Sequence, residues 1–169
     1  MKLAQYDYPY VEVFSDPLEL IQSDDVQAVA IVTPVNTHYE LAKAALENGK
    51  HIFVEKPFTS NARKAEELIN IAKKNNLIIM VDHTFLFTGA VRKIREVMES
   101  QELGSLFFYD SVRVNLGLFQ HDVNVVWDLA PHDFSIMHYL IDNTDAPSQG
   151  KNRTSSSVLA EPSAGFFCR

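Results

Sequence analysis

An α/β fold built on a doubly wound parallel sheet, leading into the start of a second α+β unit, is what this sequence predicts, and three observations predict it. Short Val- and Ile-rich runs recur along the first half of the chain, amphipathic stretches with helix start and stop signals lie between them, and the pattern changes after Thr84. Runs at 11–14, 26–32, His51–Val54 and 77–81 are apolar without polar alternation, as strands buried on both faces of a parallel sheet are.

The helices follow from local signals. Asp16, Pro17 and Glu19 give a cap, a first-turn proline and an early acid, so a short helix starts there. Thr37 and Glu40 have capping-box spacing, after which Leu41, Ala42, Ala45 and Leu46 make a stripe that Gly49 stops. Ser60 can cap a third helix with Ala62, Ala65, Leu68, Ile69 and Ala72 on one side, closed by Asn75 and Asn76. Beyond Thr84, Val91, Ile94, Val97 and Met98 mark a helix that ends by Gly104. A β-prone run at 106–114 follows, then a helix over 128–141 with Pro131 in its first turn. The expected division is 1–84 for the parallel-sheet unit, 85–142 for the start of the second domain, and 143–169 for a polar, aperiodic tail expected to be disordered.

Composition excludes several classes. The 169 residues are 46% apolar and 22% charged, enough for one good core. A formal charge of -7 and the lack of a basic face argue against a nucleic-acid partner. No apolar run is long enough to span a bilayer, residues 1–10 hold no signal-peptide core, and the lone Cys168 has no intrachain partner. The expectation is a cytoplasmic protein without a membrane or nucleic-acid partner.

Two segments carry chemistry-bearing residues. Thr33-Pro34 closes one apolar run and Glu55-Lys56-Pro57 closes the next, and in an open parallel sheet such strand ends line the ligand crevice side by side. Pro57 disfavours helical backbone at Lys56 and keeps it extended. In the second segment, Trp127-Asp128-Leu-Ala-Pro-His132-Asp133, a spacing of four puts Asp128 and His132 on one side of a helix.

As a set, Thr33-Pro34-x-x-x-His38, the stretch from Ala42 through Gly49-Lys50-His51, Glu55-Lys56-Pro57 and Asp128-x-x-x-His132 resembles the glucose-fructose oxidoreductase/inositol dehydrogenase-like (Gfo/Idh/MocA) family over roughly 8–142. That resemblance implies a partial Rossmann domain joined to an open-faced α+β sheet domain, NAD or NADP as cofactor, and hydride transfer to or from a sugar hydroxyl. It implies that Thr33, Pro34, Asn36, His38 and Glu55 contact the dinucleotide, that Lys56 and His132 serve the reacting hydroxyl, and that Asp128 orients the sugar. Arg113 is matched to a substrate carboxylate or diphosphate on charge complementarity. His83-Thr84-Phe85, Arg113, Asn115, Gly117 and 127–132 look most like members that oxidise the C3 hydroxyl of UDP-N-acetylglucosaminuronic acid. No Gly-x-Gly-x-x-Gly occurs, so the resemblance also implies a chain cut at both ends, missing the first strand, phosphate-binding turn, first helix and second strand of full-length, homo-oligomeric relatives.

Blander assignments stand beside these. Lys56 alone reads as a solvated lysine, and His132 alone as a helix N-terminal residue bonded to backbone. His121, Asp122, His132, Asp133 and His138 invite a metal ion, but their spacing fits no compact ligand motif and the expectation is no metal. Glu66 and Glu67 read as a solvated helix face, and Phe85, Phe87, Phe107 and Phe108 as core. A rival of another class is an inactive fragment serving as an interaction module, whose 26–32 edge pairs with a separate chain.

Overall fold

A computed structural model describes residues 6–113 and 124–141. Its elements are α1 (Pro17–Gln22), β1 (Ala28–Ile31), α2 (Val35–Glu47), β2 (His51–Val54), α3 (Ala62–Asn75), β3 (Ile79–Val81), a 3-10 turn (Thr84–Phe87), α4 (Gly89–Glu99) and α5 (Val125–Ile141). The three strands form a parallel sheet in the order β1-β2-β3, with Ile31 level with Val54 and Val54 level with Val81. Sequential strands joined by helices and aligned at their carboxyl ends are the α/β arrangement expected from the alternation.

Burial alternates along each strand rather than covering both faces. Val29, Ile31, Ile52, Val54, Ile79 and Val81 point into one core with Ala42, Ala45 and Leu46 of α2 and Leu68, Ile69 and Ala72 of α3. Ala28 and Ala30 on the other face are exposed, and Phe53 and Met80 are half-buried. Among the described residues, α2 and α3 pack on each other over the covered face, which is why only every second strand residue is sealed.

Several boundaries differ from the expectation. Residues 11–14 form no strand; Val11 N–H donates to Tyr8 O at 3.0 Å, a local turn with no neighbouring strand among the described residues to complete a ladder. Asp16 caps α1 by accepting from Leu18 N–H at 2.9 Å, as its position suggested. α2 begins two residues before Thr37, after Pro34, so Thr37 lies inside the first turn and its hydroxyl donates to Pro34 O at 2.8 Å. Asn61, not Ser60, caps α3, accepting from Lys64 N–H, and Asn76 closes it with φ of 55°. Both asparagine roles need a short side chain that bonds main chain or tolerates left-handed backbone. Gly49 ends α2 at φ 73°.

After the sheet, α4 stops at Glu99 rather than running to Gly104, and the reversal uses Gln101 and Gly104 at positive φ. The expected strand at 106–114 is not formed over 106–113; Phe107 and Phe108 are exposed, 96% and 78%, and belong to no core. Those residues pair with no strand among the described ones, and a strand is stable only as part of a ladder. α5 starts three residues before Asp128, so Pro131 sits inside it, past the first turn. Asn115, Gly117, His121, Asp122, Cys168 and the expected tail lie outside the described residues.

Candidate active site

The crevice is built by the carboxyl ends of the strands. Glu55 N–H donates to Ile31 O at 3.0 Å and Asp82 N–H to Val54 O at 2.9 Å, so the ladder runs one residue past each strand. It thereby brings Glu55-Lys56 beside Asp82-His83. From there α5 is tied across the crevice mouth. The Lys56 ammonium donates to Asp128 Oδ1 at 2.7 Å and to the Asp128 carbonyl at 3.1 Å, while Trp127 Nε1–H donates to the carbonyl of buried Thr59 at 2.8 Å. The Lys56–Asp128 pair is 22% exposed on each side. A pair that far out of water draws more from Coulomb attraction than a surface pair, and the second bond to the carbonyl occupies another ammonium hydrogen.

One turn beyond Asp128, His132 is 9% exposed, the most buried residue of this group. The Phe85 ring meets it edge-on, with centroids 4.7 Å apart, and Arg113 lies over Phe85 at 4.9 Å. Burial, and then the charges of Lys56 and Arg113, hold the His132 imidazole below its ordinary pKa. His83 is pushed the same way by burial first and by His132 second. The Nδ1 atoms of both rings are sealed from solvent and have no hydrogen-bond partner. Asp82 is shifted the opposite way, raised by burial and by the neighbouring Glu55 carboxylate.

Arg113 is not a free cation. Its Nε and Nη2 donate to the two oxygens of Asp133 at 3.0 and 3.1 Å, and Ser111 Oγ donates to the same carboxylate at 2.9 Å. The bidentate pair holds the Asp133 carboxyl below its usual range and fastens the 111–113 segment to α5.

The residues expected to face a dinucleotide sit at the β1 end. Thr33, Pro34 and Asn36 are exposed there and Glu55 is half-buried. The single Thr37 hydroxyl hydrogen goes to Pro34 O, so across the 2.7 Å contact Thr33 Oγ1 donates to Thr37 Oγ1. Glu55 Oε2 accepts from Lys56 N–H at 3.1 Å. His38 differs from expectation. It is 1% exposed, with one ring nitrogen 2.9 Å from Pro57 O and the other 2.7 Å from Thr33 O, so neither nitrogen is free for a cofactor. Its place is to lock the loop after β1 to the Lys56-Pro57 loop, where the peptide bond is cis.

Lys56, Asp128 and His132 are therefore gathered in one place. Residue patterns missed Asp82 and the burial of His83, since two polar residues after an apolar run read only as a strand end. They also missed Asp133 as the partner of Arg113, which an Arg and an Asp twenty residues apart do not signal. Among the described residues no group of three His, Cys, Asp or Glu side chains is placed to hold a metal ion. A groove of about 570 Å³ on the outer face of α2 and α3, lined by Lys43, Arg63, Glu67 and Lys74, is distant from this chemistry and wide open.

A parallel sheet whose strand ends present a carboxylate pair and a lysine, with a buried histidine meeting them from α5, has the crevice arrangement of the dinucleotide-binding α/β class. Residues 3–83 match the oxidoreductase family with an NAD-binding Rossmann fold (Gfo/Idh/MocA), and the chain belongs to that family. It is 30% identical to scyllo-inositol 2-dehydrogenase (NAD(+)) of Bacillus subtilis over 75% of this chain and 38% of that one. It is 31% identical to UDP-N-acetylglucosamine 3-dehydrogenase of Acidithiobacillus ferrooxidans over 66% of this chain and 35% of the other. A crystal structure from Bacteroides fragilis assigned to the oxidoreductases superposes with a TM-score of 0.71 at 31% identity, covering 83% of this chain and 41% of its own. The chain spans about two fifths of its relatives' length, 37% and 39% in two of them.

Proposed function

We propose that this chain carries part of an NAD- or NADP-dependent oxidoreductase site that moves hydride between a nicotinamide and a sugar-type hydroxyl, with the C3 hydroxyl of UDP-N-acetylglucosaminuronic acid as the candidate substrate group. The observation that supports it is the cluster of Lys56, Asp128 and His132 at the strand ends, where an ammonium is held 2.7 Å from a carboxylate beside a buried imidazole.

The donor set fits the nicotinamide end of a dinucleotide. Lys56 and His132 are groups suited to a reacting hydroxyl, and exposed Thr33, Pro34 and Asn36 with half-buried Glu55 line the strand ends where more of the cofactor would lie. His38 contributes by fixing the two loops that bracket the site. When bound, the cofactor supplies the hydride acceptor. The chain's own residues manage the proton. His132 is held unprotonated at neutral pH by its burial and by the nearby cations, so it can accept the hydroxyl proton. Its Nδ1 is sealed, which leaves Nε2 as the accepting atom. Lys56 donates to the hydroxyl oxygen and steadies the negative charge that develops there, a role that requires it to turn from Asp128 toward the substrate. Asp128, released in the same step, accepts from a neighbouring sugar hydroxyl. Arg113 acts through Asp133 on α5 rather than as a bare anion receptor.

The test is calorimetry of the purified chain with NAD, in the presence and absence of UDP-N-acetylglucosaminuronic acid and of scyllo-inositol, with Lys56→Ala beside it. Micromolar NAD binding that weakens in the variant upholds the site. A folded chain that binds neither cofactor nor sugar overturns it and favours the interaction-module alternative, for which exposed Ala28 and Ala30 of β1 and Val32 just beyond it are the motivating surface.

A further inference from the structure

His83 and His132 approach the same place from opposite elements. His83 stands at the end of β3 and opens the 3-10 turn; that turn packs against α5, and its Phe85 ring lies edge-on to His132 at 4.7 Å. Each histidine buries its Nδ1 without a partner. Leaving a buried polar atom unpaired is unfavourable, so two of them in one small region call for a common explanation.

Proton chemistry supplies one. A neutral imidazole has one N–H and one lone pair. If His132 accepts a proton at Nε2, its own hydrogen must sit on Nδ1, and that hydrogen needs an acceptor that fixes tautomer and ring angle. No carboxylate fills that place: Asp133 is taken by Arg113 and Ser111, and Asp128 by Lys56. A lone pair on His83 Nδ1 is the complement, with the His83 proton on Nε2. One N–H···N bond then satisfies both orphaned atoms.

We propose that His83 is the positioning residue for His132, accepting at Nδ1 the hydrogen that His132 carries on Nδ1, and so aiming the His132 Nε2 lone pair into the crevice. Electrostatics agree, because burial lowers the pKa of both rings and a charge on His132 opposes one on His83, both of which favour the neutral pair. The groups facing this pair from the packed elements are Asp82 beside His83, Lys56 from the β2 end, Arg113 from the segment before α5, and Asp128 and Asp133 on α5 itself.

The role of His132 as proton acceptor rests on the proposed function, but the pairing is readable without turnover. Nitrogen-15 NMR of the uniformly labelled chain above pH 7 reports which ring nitrogen of each histidine carries hydrogen. Expected are His132 as the Nδ1–H tautomer, His83 as the Nε2–H tautomer, and a scalar coupling between the two Nδ1 nuclei. His83→Leu removes the acceptor and abolishes the His132 Nδ1–H preference. His83→Asn, whose side-chain oxygen falls near the lost Nδ1, restores it. A wild-type His132 protonated on Nε2, or an Nδ1–H state unchanged in His83→Leu, overturns the pairing. Should the leucine variant fail to fold, the wild-type tautomers and the asparagine variant still decide. A paired His132 in a chain that binds no NAD would overturn the proposed function and leave the pairing standing.

Discussion

In the proposed function His132 accepts the hydroxyl proton, and that role has its own signature. His132→Ala removes the proton acceptor and is expected to lower kcat/KM by about 10²- to 10⁴-fold, the usual worth of a general base, with cofactor affinity unchanged by calorimetry. The acid limb of the pH profile follows from the direction of its shift. Because burial and two cations depress the His132 pKa below 6.5, the base stays competent at pH 6.5 and activity falls only at lower pH. Initial rates between pH 5 and 8 test this, and a half-maximum above pH 6.5 would contradict the assignment. The common helix face of Asp128 and His132 was legible in the sequence because a four-residue spacing couples the two, whereas their meeting with Lys56 was suggested only by the family resemblance. The burial of His38 against two main-chain carbonyls was not legible, since a histidine near a helix start looks the same in sequence whether its ring is open or enclosed.

At the scale of elements, α5 is held over the crevice by side chains along its length. Trp127 donates to Thr59 O, and Arg95 of α4 lies 4.3 Å over the Tyr139 ring. Trp127→Phe deletes one hydrogen bond and keeps an aromatic ring, so a loss of about 1 kcal/mol is expected in urea denaturation, with the buried Thr59 carbonyl left unpaired. The sheet layer is held differently, by volume. Leu46 and Leu68 are fully buried between the sheet and the paired helices, and Leu46→Ala is expected to cost about 2–5 kcal/mol, read as a lower denaturation midpoint at unchanged slope. β1 to β3, α2 and α3 could be read from the sequence because hydrophobic period and stop signals agreed there. The runs at 11–14 and 106–113 have the same β-prone residues and form no strand, since a strand is completed by its neighbour and composition says nothing about whether one is present.

For the molecule as a whole, the two depressed histidines couple the integrity of the site to pH. An unfolded chain protonates each near 6.5, whereas His83 and His132 in the fold protonate only at lower pH. Between those values the unfolded state binds more protons, so unfolding free energy rises with pH. The stability these groups allow is complete above pH 6.5 and drains away as pH falls through 6.5 toward the folded values. Asp82 works with the opposite sign, because its raised pKa means that its stabilising share is present below 3.8 and lost as pH climbs through the folded value. The denaturation midpoint is therefore expected to drop from pH 7.5 to pH 5.5. The double variant His83→Phe/His132→Phe, which has no imidazole to charge at either place, should flatten that slope. A midpoint that rises on acidification in the wild type, or a slope that persists in the double variant, would mean that the buried histidines do not govern this pH range. Since His132 is both a ring whose protonation destabilises the fold and the proposed proton acceptor, loss of structure and loss of proton acceptance should share one acid transition.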